Sequence, residues 1–372
     1  MTIDFAMELY WLIHSLVFLS TGFELSSPKW KKVVLIAWCV FFTLFGGLRW
    51  KIGNDWTQYL EYFRFVRWDN IFSYYREGGS LMEPGYMFLN MLVKSLFGGY
   101  YWQNLLICGF VQFTYYHFCV KLFPKRPLLM YALFLSSVCY FPIRAGLAVA
   151  ICMWGYKFIK EKNLFCFAIM ILIASSIHNM CLVFLPMFWI GKIKPNIWVY
   201  SGAYFFVFAT SIVFANYFEG IALAMMNDSS QVAIYLANKT DGDRVSIFNV
   251  LLHYIFLCGY VYVKNKEKLQ DDDWTSAIIN MYFISFAITM VFAESNPVFN
   301  RLNDVFNAAT VLSFVWALDY FFSKKKGIRV IAALFFVFYY CYKFRNGIGD
   351  IYFERTCIPY KTIFDYNIWD LK

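Results

Sequence analysis

The sequence predicts an all-α polytopic membrane protein with about 12 membrane segments, some of them short or broken. Three observations carry this. The chain is 60% hydrophobic and only 15% charged, whereas average soluble domains carry about 25% charged residues. Its apolar residues gather in repeated runs, most of them near the length that crosses a hydrocarbon core about 30 Å thick. Lipid offers no partner to a backbone N–H or C=O, so such runs become helices.

The candidate runs are 5–22, 33–48, 100–120, 128–143, 145–160, 164–177, 179–191, 197–217, 246–263, 275–293, 302–322 and 328–342. The first is expected to stay in the mature chain. Asp4 and Glu8 stand where a cleavable signal carries basic residues, and no small-residue cleavage site follows. The pair 164–177 and 179–191 is interrupted at His178, as a hairpin of short helices or as one kinked helix. Loops 28–32, 121–126, 157–162, 192–194, 264–268 and 324–329 hold 18 of the 33 basic residues. Short basic loops face the cytoplasm, which leaves both termini and segments 49–99, 218–245, 294–301 and 343–372 outside. The whole chain, 1–372, reads as one integral membrane domain with these outer-face excursions.

Within 49–99, Asn54 is placed to cap a helix running to about residue 76. Asp55, Tyr59, Tyr62 and Phe63 share its face, and Gly78-Gly79 ends it. Pro84 opens a second amphipathic helix over 84–97, closed by Gly98-Gly99. Both are expected at the outer interface.

The net charge of +9 does not point to nucleic acid, because the charges sit in short loops between apolar runs. Of ten cysteines, only Cys357 lies outside an apolar run. No spacing suits zinc, so the thiols read as small buried apolar groups. The cations divide by type. The inner loops hold sixteen lysines and two arginines, Arg126 and Arg329; the outer side holds nine arginines, eight in those segments and Arg144 at the turn between two runs. Lysine suffices for orientation, whereas the arginine fork grips phosphate or carboxylate with two bonds. An anionic ligand at the outer face fits this division; pairing with outer acids is the plainer account.

Candidate residues follow from this. Arg49 and Asp55 flank the end of the second run, as a phosphate ligand and an orienting acid, or merely as each other's partners. Arg144, in FPIRAGLAVAI, begins a helix whose free N–H groups add positive potential. No acid lies near it in sequence, and a lone arginine at the membrane is costly unless it snorkels to headgroups. His178, in ASSIHNMCLVF, has the ordinary pKa of a base or proton shuttle, though a lone histidine is often structural, as His14, His117 and His253 are expected to be. Arg301 and Asp304 lie at another outer helix entry beside Pro297, and Arg345 and Tyr360 (in IPYKTIF) belong to a tail expected to dock back. Trp56 and Tyr59 are placed to stack on sugars, or to form the aromatic belt of an interface. P-loop, HExxH, GxSxG and DxD patterns are absent. Any chemistry therefore acts on an already activated, lipid-linked donor, with no metal or other cofactor.

GLRWKIGNDWTQYLEYF, FPIRAGLAVAI, ASSIHNMCLVFLP, NPVFNRLNDVF and IPYKTIF resemble, in that order, motifs of the EpsG-type, Wzy-like polysaccharide polymerases. Ala145 stands where many members carry Gln. The resemblance implies a GT-C-like helical glycosyltransferase in the bacterial cytoplasmic (inner) membrane, with its site facing the periplasm or cell exterior. It implies O-antigen or exopolysaccharide polymerisation, with undecaprenyl-pyrophosphate-linked oligosaccharides as donor and acceptor, and a Wzz-like chain-length regulator as partner. On it, Arg49, Arg144 and Arg301 hold pyrophosphates, and His178 or Asp55 is the base, His178 preferred. Trp56, Tyr59, Asp304, Arg345 and Tyr360 contact glycan. A flippase for the same lipid would show two similar halves, and none is visible. A ligase passing finished glycan to another carrier would show similar residues.

Overall fold

A computed structural model describes residues 3–26, 29–53, 55–74, 82–122, 125–136, 141–224, 247–266, 273–291, 301–348 and 351–366. Expectations for Asn54, Gly78-Gly79, Cys139, Pro297 and most of 218–245 lie outside them. The regular elements described are helices: α1 (Ile3–Ser20), α2 (Lys31–Gly47), α3 (Trp56–Phe65), α4 (Pro84–Phe97), α5 (Tyr100–Leu122), α6 (Pro127–Ser136), α7 (Arg144–Lys160), α8 (Leu164–Ile177), α9 (Ile197–Ala224), α10 (Ile247–Lys266), α11 (Asp273–Val291), α12 (Asn307–Phe322) and α13 (Lys326–Ile348), with short helical turns between. Among the described residues, Trp274–Val291, Leu302–Phe322 and Lys326–Ile348 are long and apolar enough to cross a membrane. Met7–Ser20, Pro127–Ser136, Leu164–Ile177 and Ile197–Ser211 are shorter apolar helices. Over the described residues the chain is thus an all-helical membrane protein.

The chain divides into two compact units: Met1–Phe72 with Glu83–Ala150 and Leu318–Lys372, and Ser73–Met82 with Ile151–Ala317. In the first, α1 runs antiparallel to α13. Phe18 stacks on Phe336, and His14 stacks on Phe344 while bonding the Tyr340 hydroxyl at 2.8 Å. Helices α2 and α5 pack closely because Gly47 has no side chain; a Cβ there would come within 2.8 Å of the Leu105 Cα. The tail docks on the α2–α3 corner, as expected. Trp50 N–H donates to Lys361 O, Ile363 N–H to Leu48 O, and Gly53 N–H to Thr356 O. In the second unit, α9, α10 and α11 bury an aromatic core that includes Tyr204, Tyr260, Tyr282 and Phe286. His253 bonds Tyr282 there at 2.7 Å, a structural role like that of His14.

Three expectations are corrected. The helix expected to reach residue 76 ends at Phe65. Val66 turns extended (φ −64°, ψ 138°), and Asn70 holds the turn by accepting from Arg67 N–H and donating to Phe65 O. Lys94 then donates to the freed carbonyls of Arg64 and Val66, a cation at a helix C-terminus. Of the run 128–143, the described helix covers residues up to Ser136, and residues 141–143 are not helical. The run 179–191 is a 3-10 turn, Asn179–Phe184, followed by a single α-turn, Met187–Ile190. His178 is extended (φ −150°, ψ 115°), and the chain folds back so that Phe184 and Phe188 meet Phe167. Of the two readings of this pair, the hairpin is the one formed. Helix α4 matches its expected bounds, 84–97, and stops where Gly98 takes φ +78°.

Candidate functional site

In the first unit, Arg49 follows α2 and is fully buried. Its Nη1 donates to Gly46 O at the α2 C-terminus and to Cys108 Sγ at 3.6 Å, and its Nη2 reaches Phe141 O and Pro142 O at 3.4 Å. Its guanidinium lies over the Phe141 and Trp56 rings, at 5.3 and 5.7 Å. Burying a cation without partners is expensive. Carbonyls and ring faces supply them here, and they fasten the chain two residues before Arg144.

Arg144 opens α7 and is 7% exposed. Its Nη1 pairs with Glu83 Oε2 at 2.5 Å, and Tyr59, Tyr62 and Tyr86 lie within electrostatic reach. The acid that the neighbouring sequence does not offer arrives from the residue preceding α4. Asp55 stands at the N-cap position of α3 without a side-chain cap bond, and it forms no salt bridge with Arg49 among the described residues.

Around the two arginines lies a buried polar cluster. Tyr100, Asn104 and Cys108 share one face of α5 at i, i+4 and i+8, and Cys108 touches Arg49. Gln103 Nε2 donates to the Tyr86 hydroxyl at 3.2 Å, and Asn90 Nδ2 to Tyr86 O at 3.0 Å. Both amide atoms of Asn104, the Gln103 and Asn90 carbonyl oxygens, the Tyr100 hydroxyl and the Trp50 and Trp56 indole N–H groups are buried with no hydrogen-bond partner among the described residues. Each such atom costs about 1–3 kcal/mol. A cluster of them beside two guanidinium groups suits phosphate and sugar hydroxyls better than it suits packing.

The remaining candidates are placed as follows. Trp56 is buried edge-to-face against Trp50 and Tyr100, and Tyr59 against Tyr86. Tyr360 stacks on Phe45 at 4.3 Å and donates its hydroxyl to Phe45 O. Arg345 is exposed in the last turn of α13. In the second unit, half-buried His178 caps the Asn179–Phe184 turn, its Nδ1 accepting Met180 N–H at 3.5 Å. Arg301 begins a second 3-10 turn, Arg301–Phe306. Asn303 ties that turn to α11 by bonding Ser285 and Thr289. Phe184 meets Phe306 at 5.4 Å, so the segments bearing His178 and Arg301 pack together. Asp304 is exposed on the same turn. Glu83, Asn90, Gln103 and Asn104 escape the sequence reading, although polar residues in apolar helices were the available signal for the last three.

Among the described residues no cluster of three His, Cys, Asp or Glu could hold a metal. The model of one protein family, the EpsG family, matches residues 32–362. No curated protein and no solved structure matches the chain.

Proposed function

This chain belongs to the EpsG family, and from that premise we propose that it polymerises a bacterial surface polysaccharide. The family points to a polymerase-type membrane protein; the finer reading is as follows. The growing glycan leaves undecaprenyl pyrophosphate and joins a hydroxyl of a lipid-linked repeat at the outer face of the cytoplasmic membrane. The bond from the anomeric carbon to the pyrophosphate oxygen breaks, and its electron pair leaves with the pyrophosphate. The acceptor oxygen bonds the anomeric carbon, and the hydroxyl proton passes to a base.

The observation that carries this reading is the buried Arg144–Glu83 pair at the start of α7. A carboxylate there occupies an arginine fork next to a helix N-terminus, which is also the natural seat of a phosphate. An arriving pyrophosphate exchanges for Glu83, and its growing charge is stabilised by Arg144, the main catalytic need when pyrophosphate leaves. Arg49 holds the Phe141–Pro142 backbone that positions Arg144. Arg301 takes the pyrophosphate of the second lipid, and His178, or Asp55, accepts the proton. Exposed Asp304 and Arg345 meet glycan, and Trp56, Tyr59 and Tyr360 shape the walls behind it. About twelve membrane segments in a GT-C-like arrangement, and a chain-length regulator as partner, complete the proposal.

The test is the glycan length profile of cells lacking the gene, with and without the wild-type copy. Glycan capped at one repeat, restored to a ladder by the gene, is the expected result. Loss of all surface glycan with lipid-linked single repeats retained inside would make the protein a flippase. Long lipid-linked polymer that never reaches its final carrier would make it a ligase.

A further inference from the structure

A groove of about 560 Å³ lies in the first unit between the end of α1, the start of α6, the end of α12 and the first three turns of α13. It sits at the opposite end of the helices from Arg49. Helix α1 fixes this: Tyr10, at its middle, meets Phe45 and the tail at Cys357, whereas Phe18 and Thr21, at and just past its end, line the groove. Helix α13 spans the interval with 23 residues, about 35 Å at 1.5 Å per residue. The mouth of the groove at Lys326 is therefore a full length of α13 from the end that leads into the tail, and the groove itself covers about half of that helix.

The groove is divided by chemistry along α13. Lys326 and Arg329 project from the first turn, and Val330, Ala333, Phe336 and Val337 continue the same stripe for about 16 Å. Phe18 and Leu129 face that apolar stretch. The rim carries three cations and one acid. Arg126 is committed, its Nε on Asp319 Oδ1 at 3.1 Å and its guanidinium over the Phe322 ring. Glu24 is committed as well, accepting the N–H groups of Leu128 and Leu129 at the α6 start. Lys326 and Arg329 are exposed, with no carboxylate in salt-bridge range among the described residues. A cationic mouth over an apolar trough, at the end of the helices that the basic loops place in the cytoplasm, matches a phosphate on an acyl chain.

We propose that this groove binds an anionic phospholipid of the cytoplasmic leaflet, its phosphate between Lys326 and Arg329 and one acyl chain against Phe18, Phe336 and Val337. It is separate from the proposed catalytic region and stands whether or not the chain is a polymerase.

The test is native mass spectrometry of the full-length protein in detergent, titrated with dioleoyl phosphatidylglycerol or dioleoyl phosphatidylcholine. The glycerol lipid should be retained in clear preference. Each basic residue near a membrane surface is worth about fivefold in binding, so Lys326→Gln with Arg329→Gln should cut retention roughly 25-fold. Both side chains are exposed, so the double variant should fold. Ala333→Trp, which fills the trough and keeps the charges, should also lower retention. Equal retention of the two lipids, or an unchanged double variant, overturns the proposal. Full displacement of the lipid by inorganic phosphate would make this a simple anion site and overturns it too.

Discussion

Arg144 and Glu83 form the pair on which the proposed chemistry depends. Both are nearly enclosed, with side chains 9% and 11% exposed. Breaking such a pair leaves an uncompensated buried charge, at about 3–5 kcal/mol. Arg144→Ala and Glu83→Ala should therefore each lower the thermal stability of the detergent-solubilised protein. Arg144→Met combined with Glu83→Leu removes both charges and should recover most of it. Elongation of a lipid-linked repeat should behave differently. Arg144→Ala and the double variant should both lose about 100-fold or more, the scale of deleting one charge-stabilising donor. Arg144→Lys should retain a part, since it keeps the charge and loses the fork. Recovery of elongation in the double variant would reduce the pair to a structural contact. Arg144 was legible in the sequence as a cation at a helix start. Its partner was not, because Glu83 lies 61 residues away and meets it only once α4 and α7 have packed.

The element that holds the α2–α3 corner is the docked tail. Its backbone bonds to Leu48, Trp50 and Gly53 keep Arg49 at the head of the Phe141–Pro142 segment, and Tyr360 locks the tail onto Phe45. Tyr360→Phe removes one hydrogen bond and should cost about 1 kcal/mol. Tyr360→Ala also removes the stacked ring and should cost about 3 kcal/mol, read as a lower unfolding temperature. A Tyr360→Ala protein as stable as wild type would show that docking contributes nothing to the fold. Elements were readable where a local signal fixed both ends, as with Pro84 and Gly98 for α4. They were misread where a side chain beyond the element decided its end. Asn70 stops α3, although the aromatic pattern continues past it. Extended His178 reverses the chain within an apolar run, and hydropathy alone does not register a reversal.

For the molecule as a whole, composition was enough to give the helical membrane class, because lipid permits few other solutions. Which helices pack against which was not readable, since α1, α2, α6 and α13 all present similar apolar surfaces. The join between α1 and α6 has a measurable consequence for global stability. Glu24 lies outside the spanning runs, buried against the α6 start, with Arg126 and Lys31 as the charges nearest to favour its ionised form. Burial dominates and pushes its carboxyl up to about 7. The folded state thus holds this proton more tightly than the unfolded chain, whose carboxyl titrates near 4.5. Its contribution to stability is fully present below about pH 4.5 and is lost as the pH rises through about 7. The slope in that window approaches 1.4 kcal/mol per pH unit for one proton. The unfolding temperature in detergent should therefore fall between about pH 5 and pH 8. Glu24→Gln keeps an oxygen to accept the Leu128 and Leu129 N–H groups and has no proton to release, so its profile should be flatter. Parallel profiles for the two proteins would mean that Glu24 titrates as it does in the unfolded chain, and that its contact with α6 is not a buried cap.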